Sequence, residues 1–105
     1  MRNVPWSVTF HESPDKDPVV KKVKSLDEAS ELAEAKLKEG GAVYCARIWE
    51  GSFPCNSLYW NGEEVIYYNA LTVLPRKKAE NLKLDEKGEL VERIEITREN
   101  FSFFN

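Results

Sequence analysis

Residues 25–50 read SLDEASELAEAKLKEGGAVYCARIWE, a run that predicts a helix ended by two glycines and followed directly by a strand. Ser25 with Glu28 three residues on is a capping box, in which each side chain satisfies an amide that the helix start leaves orphaned. Leu26, Ala29, Ala33 and Leu37, with Leu32 beside them, recur at helical spacing and mark the buried stripe. Asp27 and Glu28 sit at the positive end of the helix dipole, and Lys36 and Lys38 at the negative end. Glu34 and Lys38 are expected to pair on the water-facing side. Gly40-Gly41 stops the helix, because glycine accepts the left-handed conformation of a C-terminal cap. The predicted span is about 26–39, and its alanines imply a close approach to a sheet.

The strand expected from Ala42 to Glu50 carries apolar residues on both faces: Ala42, Tyr44, Ala46 and Ile48 on one, Val43, Cys45, Arg47 and Trp49 on the other. Two apolar faces predict a central strand covered on both sides. Before the helix, Val4 to Glu12 alternates with Trp6, Val8 and Phe10 against Ser7, Thr9 and His11, the period of a half-buried strand. Pro14 and Pro18, with Asp15 and Asp17, break it. Val19, Val20 and Val23 among Lys21, Lys22 and Lys24 then predict an edge strand, since edge lysines discourage unwanted pairing.

After Glu50, residues 51–56 are expected to loop. Asn61-Gly62 between Tyr59-Trp60 and Glu63-Glu64 predicts a hairpin with a type I′ turn, which would pair Leu58 with Val65 and Tyr59 with Glu64. That alternation groups Leu58, Trp60, Val65 and Tyr67 on one face and Tyr59, Glu64, Ile66 and Tyr68 on the other, with the returning strand running to about Leu74. Residues 75–78 open a polar connection. A second hairpin follows, from Leu82 and Leu84 around Gly88 to Leu90, Ile94 and Ile96, and the Phe101–Phe104 tail is expected to dock back. The sum is an α+β fold, a mostly antiparallel sheet of about five to seven strands with one helix on one face. At 105 residues and 12.1 kDa, residues 1–105 make one domain.

Composition narrows function by exclusion. Eighteen Asp and Glu against fifteen Lys and Arg give a net charge of −3, the wrong sign for a duplex-binding surface. No run approaches the length of a membrane span, and residues 1–6 hold no apolar leader, so the cytosol is the expected compartment. Two cysteines ten positions apart match no zinc or redox motif. No glycine-rich phosphate loop or paired catalytic carboxylates occur, so no metal, cofactor or catalytic residue is assigned. His11 is the only histidine, on the polar side of a strand where a surface position is expected. Cys45 is expected to pack in a strand and Cys55 to sit in a loop.

The residues singled out are aromatic. Three Trp, four Tyr and five Phe are a generous supply, and Trp49, Tyr59, Trp60, Tyr67 and Tyr68 gather in the central strands with Arg47 one pleat from Trp49. Exposed Trp, Tyr and Arg are the residue types of interface hot spots. The expected function is a non-enzymatic binding or regulatory module, with Arg47, Trp49, Trp60 and Tyr67 as binding residues and a protein partner or a second copy as occupant. One alternative is a small-molecule or nucleotide site, or a small enzyme, using a pocket near His11 and Cys55. Another is single-stranded nucleic acid stacked on the aromatics, which the acidic balance disfavours.

Overall fold

Alternation and helical spacing decide most of the architecture, and the computed structural model, which describes residues 5–70 and 72–91, places the elements accordingly. Strands β1 (Trp6–His11) and β2 (Val19–Val23) precede helix α1 (Leu26–Lys38), followed by β3 (Cys45–Glu50), β4 (Phe53–Trp60) and β5 (Val65–Tyr67). These five strands form one antiparallel sheet in the order β2-β1-β3-β4-β5. A short helix α2 (Arg76–Glu80) and a small hairpin of β6 (Lys83–Leu84) and β7 (Leu90–Val91) complete the described chain. The class is α+β with one main helix. As expected, β3 is central and β2 is an edge.

Helix α1 starts on Ser25, whose hydroxyl accepts from the Glu28 amide at 3.1 Å, while the Glu28 carboxylate accepts from the Lys24 amide at 3.2 Å. Gly40 takes a φ of +71° just past its end. Ala29, Ala33 and Leu37 are buried against Val8, Phe10, Ala46, Ile48 and Leu58. Leu26 departs from the expected stripe: it lies in the first turn and remains 39% exposed. The expected Glu34–Lys38 pair is also replaced. Glu34 accepts from the Tyr67 hydroxyl at 3.2 Å, and Lys36 pairs with Glu39 at 3.1 Å.

The sheet departs from expectation where local backbone chemistry intervenes. The Ala42–Glu50 alternation holds only from Cys45, because Val43 joins the helix-side core while Tyr44 and Cys45 both turn to the opposite side. Tyr44 is locked there by backbone bonds to His11 and Trp60. Residues 53–56 are not a loop: β4 starts at Phe53, and the pairing shifts between Ile48 and Trp49 so that Cys55 bulges between Pro54 and Asn56. A bulge accommodates a proline that cannot complete the ladder.

The hairpin after Trp60 has a four-residue loop, since Trp60 pairs with Val65 and Leu58 with Tyr67. A type I′ turn requires positive φ at both central residues, and Asn61 does not adopt it. Its side chain instead accepts from the amides of Glu63 and Glu64, both at 2.8 Å, while Gly62 takes the positive φ. The register moves by two residues, so the face groupings survive. Leu58, Trp60, Val65 and Tyr67 meet the helix side. The strand ends at Tyr67, well short of Leu74, and residues 76–80 form a helical turn in place of an irregular connection. The second hairpin is present over Lys83–Val91, whereas Ile94, Ile96 and the Phe101–Phe104 tail lie outside the described residues.

Candidate functional site

The face of the sheet away from α1 divides into two halves. On the β4–β5 half, Tyr44, Cys45, Tyr59 and Ile66 pack with Ala79 and Leu82, with Leu74, Leu84 and Leu90 against them. Two tyrosine hydroxyls hold the incoming chain at one residue. Tyr59 accepts from the Leu74 amide at 3.1 Å, and Tyr44 donates to the Leu74 carbonyl. Arg76 lies over the Tyr44 ring at 4.6 Å and donates to the Ala42 carbonyl. The Tyr59 hydroxyl also bonds the Cys45 thiol, and burial pushes that thiol up to about 12, so Cys45 is an inert packing residue.

The other half is laid out by the strand register. Thr9 faces Val20 on one side and Arg47 on the other, and Arg47 faces Ser57. One pleat along, Lys22, Ser7 and Trp49 form the next row. Thr9, His11 and Ser57 are buried beneath this surface, whereas Arg47 and Trp49 are half-buried. The Trp49 indole N–H donates to Thr9 Oγ1 at 2.9 Å, which draws the ring across β1. The Arg47 guanidinium lies over that ring, 5.1 Å from its centroid, with Nε donating to Ser57 Oγ at 3.3 Å. Cation–π stacking and one tether therefore fix the guanidinium plane.

His11 corrects the expectation of a surface histidine, being only 8% exposed. Thr9 Oγ1 receives the indole proton and lies 2.8 Å from His11 Nε2, so Trp49, Thr9 and His11 form one chain of hydrogen bonds. Burial lowers the His11 pKa, and the Arg47 charge lowers it further. A histidine kept neutral by folding makes stability depend on pH. The unfolded chain takes up its proton near pH 6.5 and the folded chain only below that, so stability is expected to fall as the pH drops from 6.5 toward the folded value. No other histidine contributes, and Glu12, whose pKa is lowered by its hydrogen bond to Lys16, titrates below its ordinary 4.5. Urea unfolding at pH 7 and pH 5.5 checks this: wild type should lose stability and His11→Gln should not. Equal stability of the wild type at both pH values would rule out a buried neutral ring.

Of the four binding residues expected from sequence, Arg47 and Trp49 come together on this open half. Trp60 and Tyr67 do not join them. Trp60 packs against the helix-side core, and Tyr67 reaches Glu34 on the same side. His11 and Cys55 are also kept apart, because His11 faces Cys45 at one end of β3 and Cys55 bulges at the other. The Cys55 thiol contacts the Glu50 carboxylate at 3.8 Å. Both cysteines are free. Thr9 and Ser57 were missed as parts of the site. Their parity with Arg47 was available once the strand order was known, but the order itself was not.

Among the described residues, no group of three or more His, Cys, Asp or Glu could hold a metal ion, and no helix is long and apolar enough to cross a membrane. Comparisons of the chain with protein-family models, with curated proteins and with solved structures each find no match.

Proposed function

We infer that the protein is a non-enzymatic binding module whose working surface is the open half of the sheet around Arg47 and Trp49. The observation that carries this reading is the state of Trp49. A large ring near the end of the central strand, one pleat from the row of Thr9, Arg47 and Ser57, joins neither hydrophobic cluster among the described residues. It carries instead a stacked arginine at the surface. Trp and Arg together are the side chains that concentrate binding energy at protein interfaces, because they bury large areas and lose little freedom on docking.

The occupant is a different protein rather than a second copy. A two-fold contact through this face would bring together two copies of rows that carry Lys22 and Arg47 and no carboxylate, and like charges facing across an interface cost several kcal/mol. The two unpaired cysteines support a reducing, cytosolic setting. The test is capture from lysate on immobilised wild type, Trp49→Ala and Arg47→Ala in parallel. A partner retained by wild type and reduced at least about tenfold by either substitution supports the reading. Equal retention by all three proteins would contradict it, as would a wild-type dimer that either substitution dissolves.

A further inference from the structure

We propose that the open half of the sheet reads a carboxylate pair on an extended acidic segment of the partner, one carboxylate seated on Arg47 and the second on Lys22. This rests on the binding-module reading and specifies the chemistry of its occupant.

Arg47 has donors to spare. Its Nε is used by Ser57 Oγ and its face by the Trp49 ring, which leaves the terminal nitrogens without a hydrogen-bond partner among the described residues. It has no ion pair there either, since the pairs that form are Lys16–Glu12 and Lys36–Glu39. A guanidinium held flat with its fork free matches the two coplanar oxygens of a carboxylate, and its fixed orientation reduces the freedom lost on binding. The buried layer beneath it offers no competing group, because Thr9, His11 and Ser57 already bond to Trp49, to one another or to Arg47.

The rows of the sheet set the spacing. Along the β2, β1 and β3 rows the face presents Val20, Lys22, Ser7, Thr9, Arg47 and Trp49, two cations and no carboxylate. Arg47 and Lys22 stand two strands apart and one pleat apart, which places their Cα atoms about 12 Å from each other. Side chains as long as arginine and lysine can close that gap on a single phosphate, which is therefore the competing ligand in the test below. An extended segment covers about 13 Å in four residues and returns its side chain to the same side. The pattern that fits is Glu-x-x-x-Glu in extended form, with a small side chain at the central position, which falls over Ser7 and Thr9 and is flanked by Val20 and Trp49.

The probes are a peptide Glu-Thr-Val-Thr-Glu, blocked at both ends, its Gln-Thr-Val-Thr-Gln counterpart, and inorganic phosphate. Each is titrated into the full ¹⁵N-labelled chain at low salt while the Arg47 Nε–H and Trp49 Nε1–H resonances are followed. The acidic peptide should shift both resonances and saturate, with the glutamine peptide at least about tenfold weaker. Arg47→Lys should weaken the acidic peptide by a similar factor, because an ammonium cannot pair with two oxygens in one plane. Three results would overturn the proposal: no saturable shift with the acidic peptide, equal affinity for the glutamine peptide, or a stronger response to phosphate than to the peptide. None of these bears on whether Trp49→Ala loses the captured partner, so the two readings fail separately.

Discussion

Tyr59→Ala is expected to destabilise the protein by about 3–5 kcal/mol, the cost of emptying a fully buried aromatic site. Tyr59 has no exposed surface and sits between the Tyr44 and Tyr68 rings, each with its centroid 6.4 Å away. Its hydroxyl accepts from the Leu74 amide and bonds the Cys45 thiol, so the residue joins the sheet to the segment that covers its β4–β5 half. Tyr59→Phe keeps the ring and removes only the hydroxyl, leaving a part-buried amide without its acceptor, and should cost about 1–3 kcal/mol. The two substitutions differ in what they loosen. Urea unfolding gives the global losses, and hydrogen exchange at the Leu74 amide reports the local one. Exchange at Leu74 as slow in Tyr59→Phe as in wild type would show that the hydroxyl does not hold the segment.

Leu58→Ala should cost about 2–5 kcal/mol on the other side of the sheet. Leu58 is fully buried, faces Ala46 and Tyr67 in the neighbouring strands, and packs under Ala29 and Ala33 of α1. Those alanines already bring the helix close to the sheet, so little room remains for collapse into the cavity. In a domain whose whole stability is on the order of 5–15 kcal/mol, this loss is a large fraction. Leu26→Ala provides the contrast. Leu26 belongs to the same apparent helical stripe but is 39% exposed, and its loss should stay within about 0.5 kcal/mol. Thermal or urea unfolding of the two variants side by side separates them. Similar losses for both would mean that α1 packs in a different rotation.

The helix was legible because its signals are local and agree: a capping serine, charges matched to the dipole, apolar residues at helical spacing and a glycine at the end. The sheet was legible in its alternation and in the lysine-bearing edge strand. What the sequence did not disclose comes from pairing between distant residues. Tyr44 reads as a strand residue in phase with Ala46, but backbone bonds to His11 and Trp60 hold it out of phase. Asn61-Gly62 reads as a two-residue turn, yet Asn61 Oδ1 finds two amides and stabilises a longer loop. Cys55 reads as a loop residue because Pro54 precedes it, and the proline is absorbed by a bulge.

The candidate site was half legible for the same reason. Adjacency in one strand placed Arg47 and Trp49 on a shared face, and alternation grouped Trp60 with Tyr67. Whether those two groups shared a side depended on strand order and on which face the helix covers, and neither is written in any local stretch. His11 shows the same limit. Its neighbours Ser7 and Thr9 mark an exposed strand face, but Thr9 and His11 are buried there and Thr9 is bonded to the Trp49 indole from β3.

A surface at Trp49 requires that Trp49 and Trp60 differ in what they hold together, and urea unfolding of Trp49→Ala against Trp60→Ala measures that difference most directly. Trp60 packs against the helix-side core and Trp49 joins neither cluster. Trp49→Ala is expected to lose no more than about 1–2 kcal/mol and Trp60→Ala to lose more. A loss of about 3–5 kcal/mol for Trp49→Ala would instead identify Trp49 as core and contradict a working surface there.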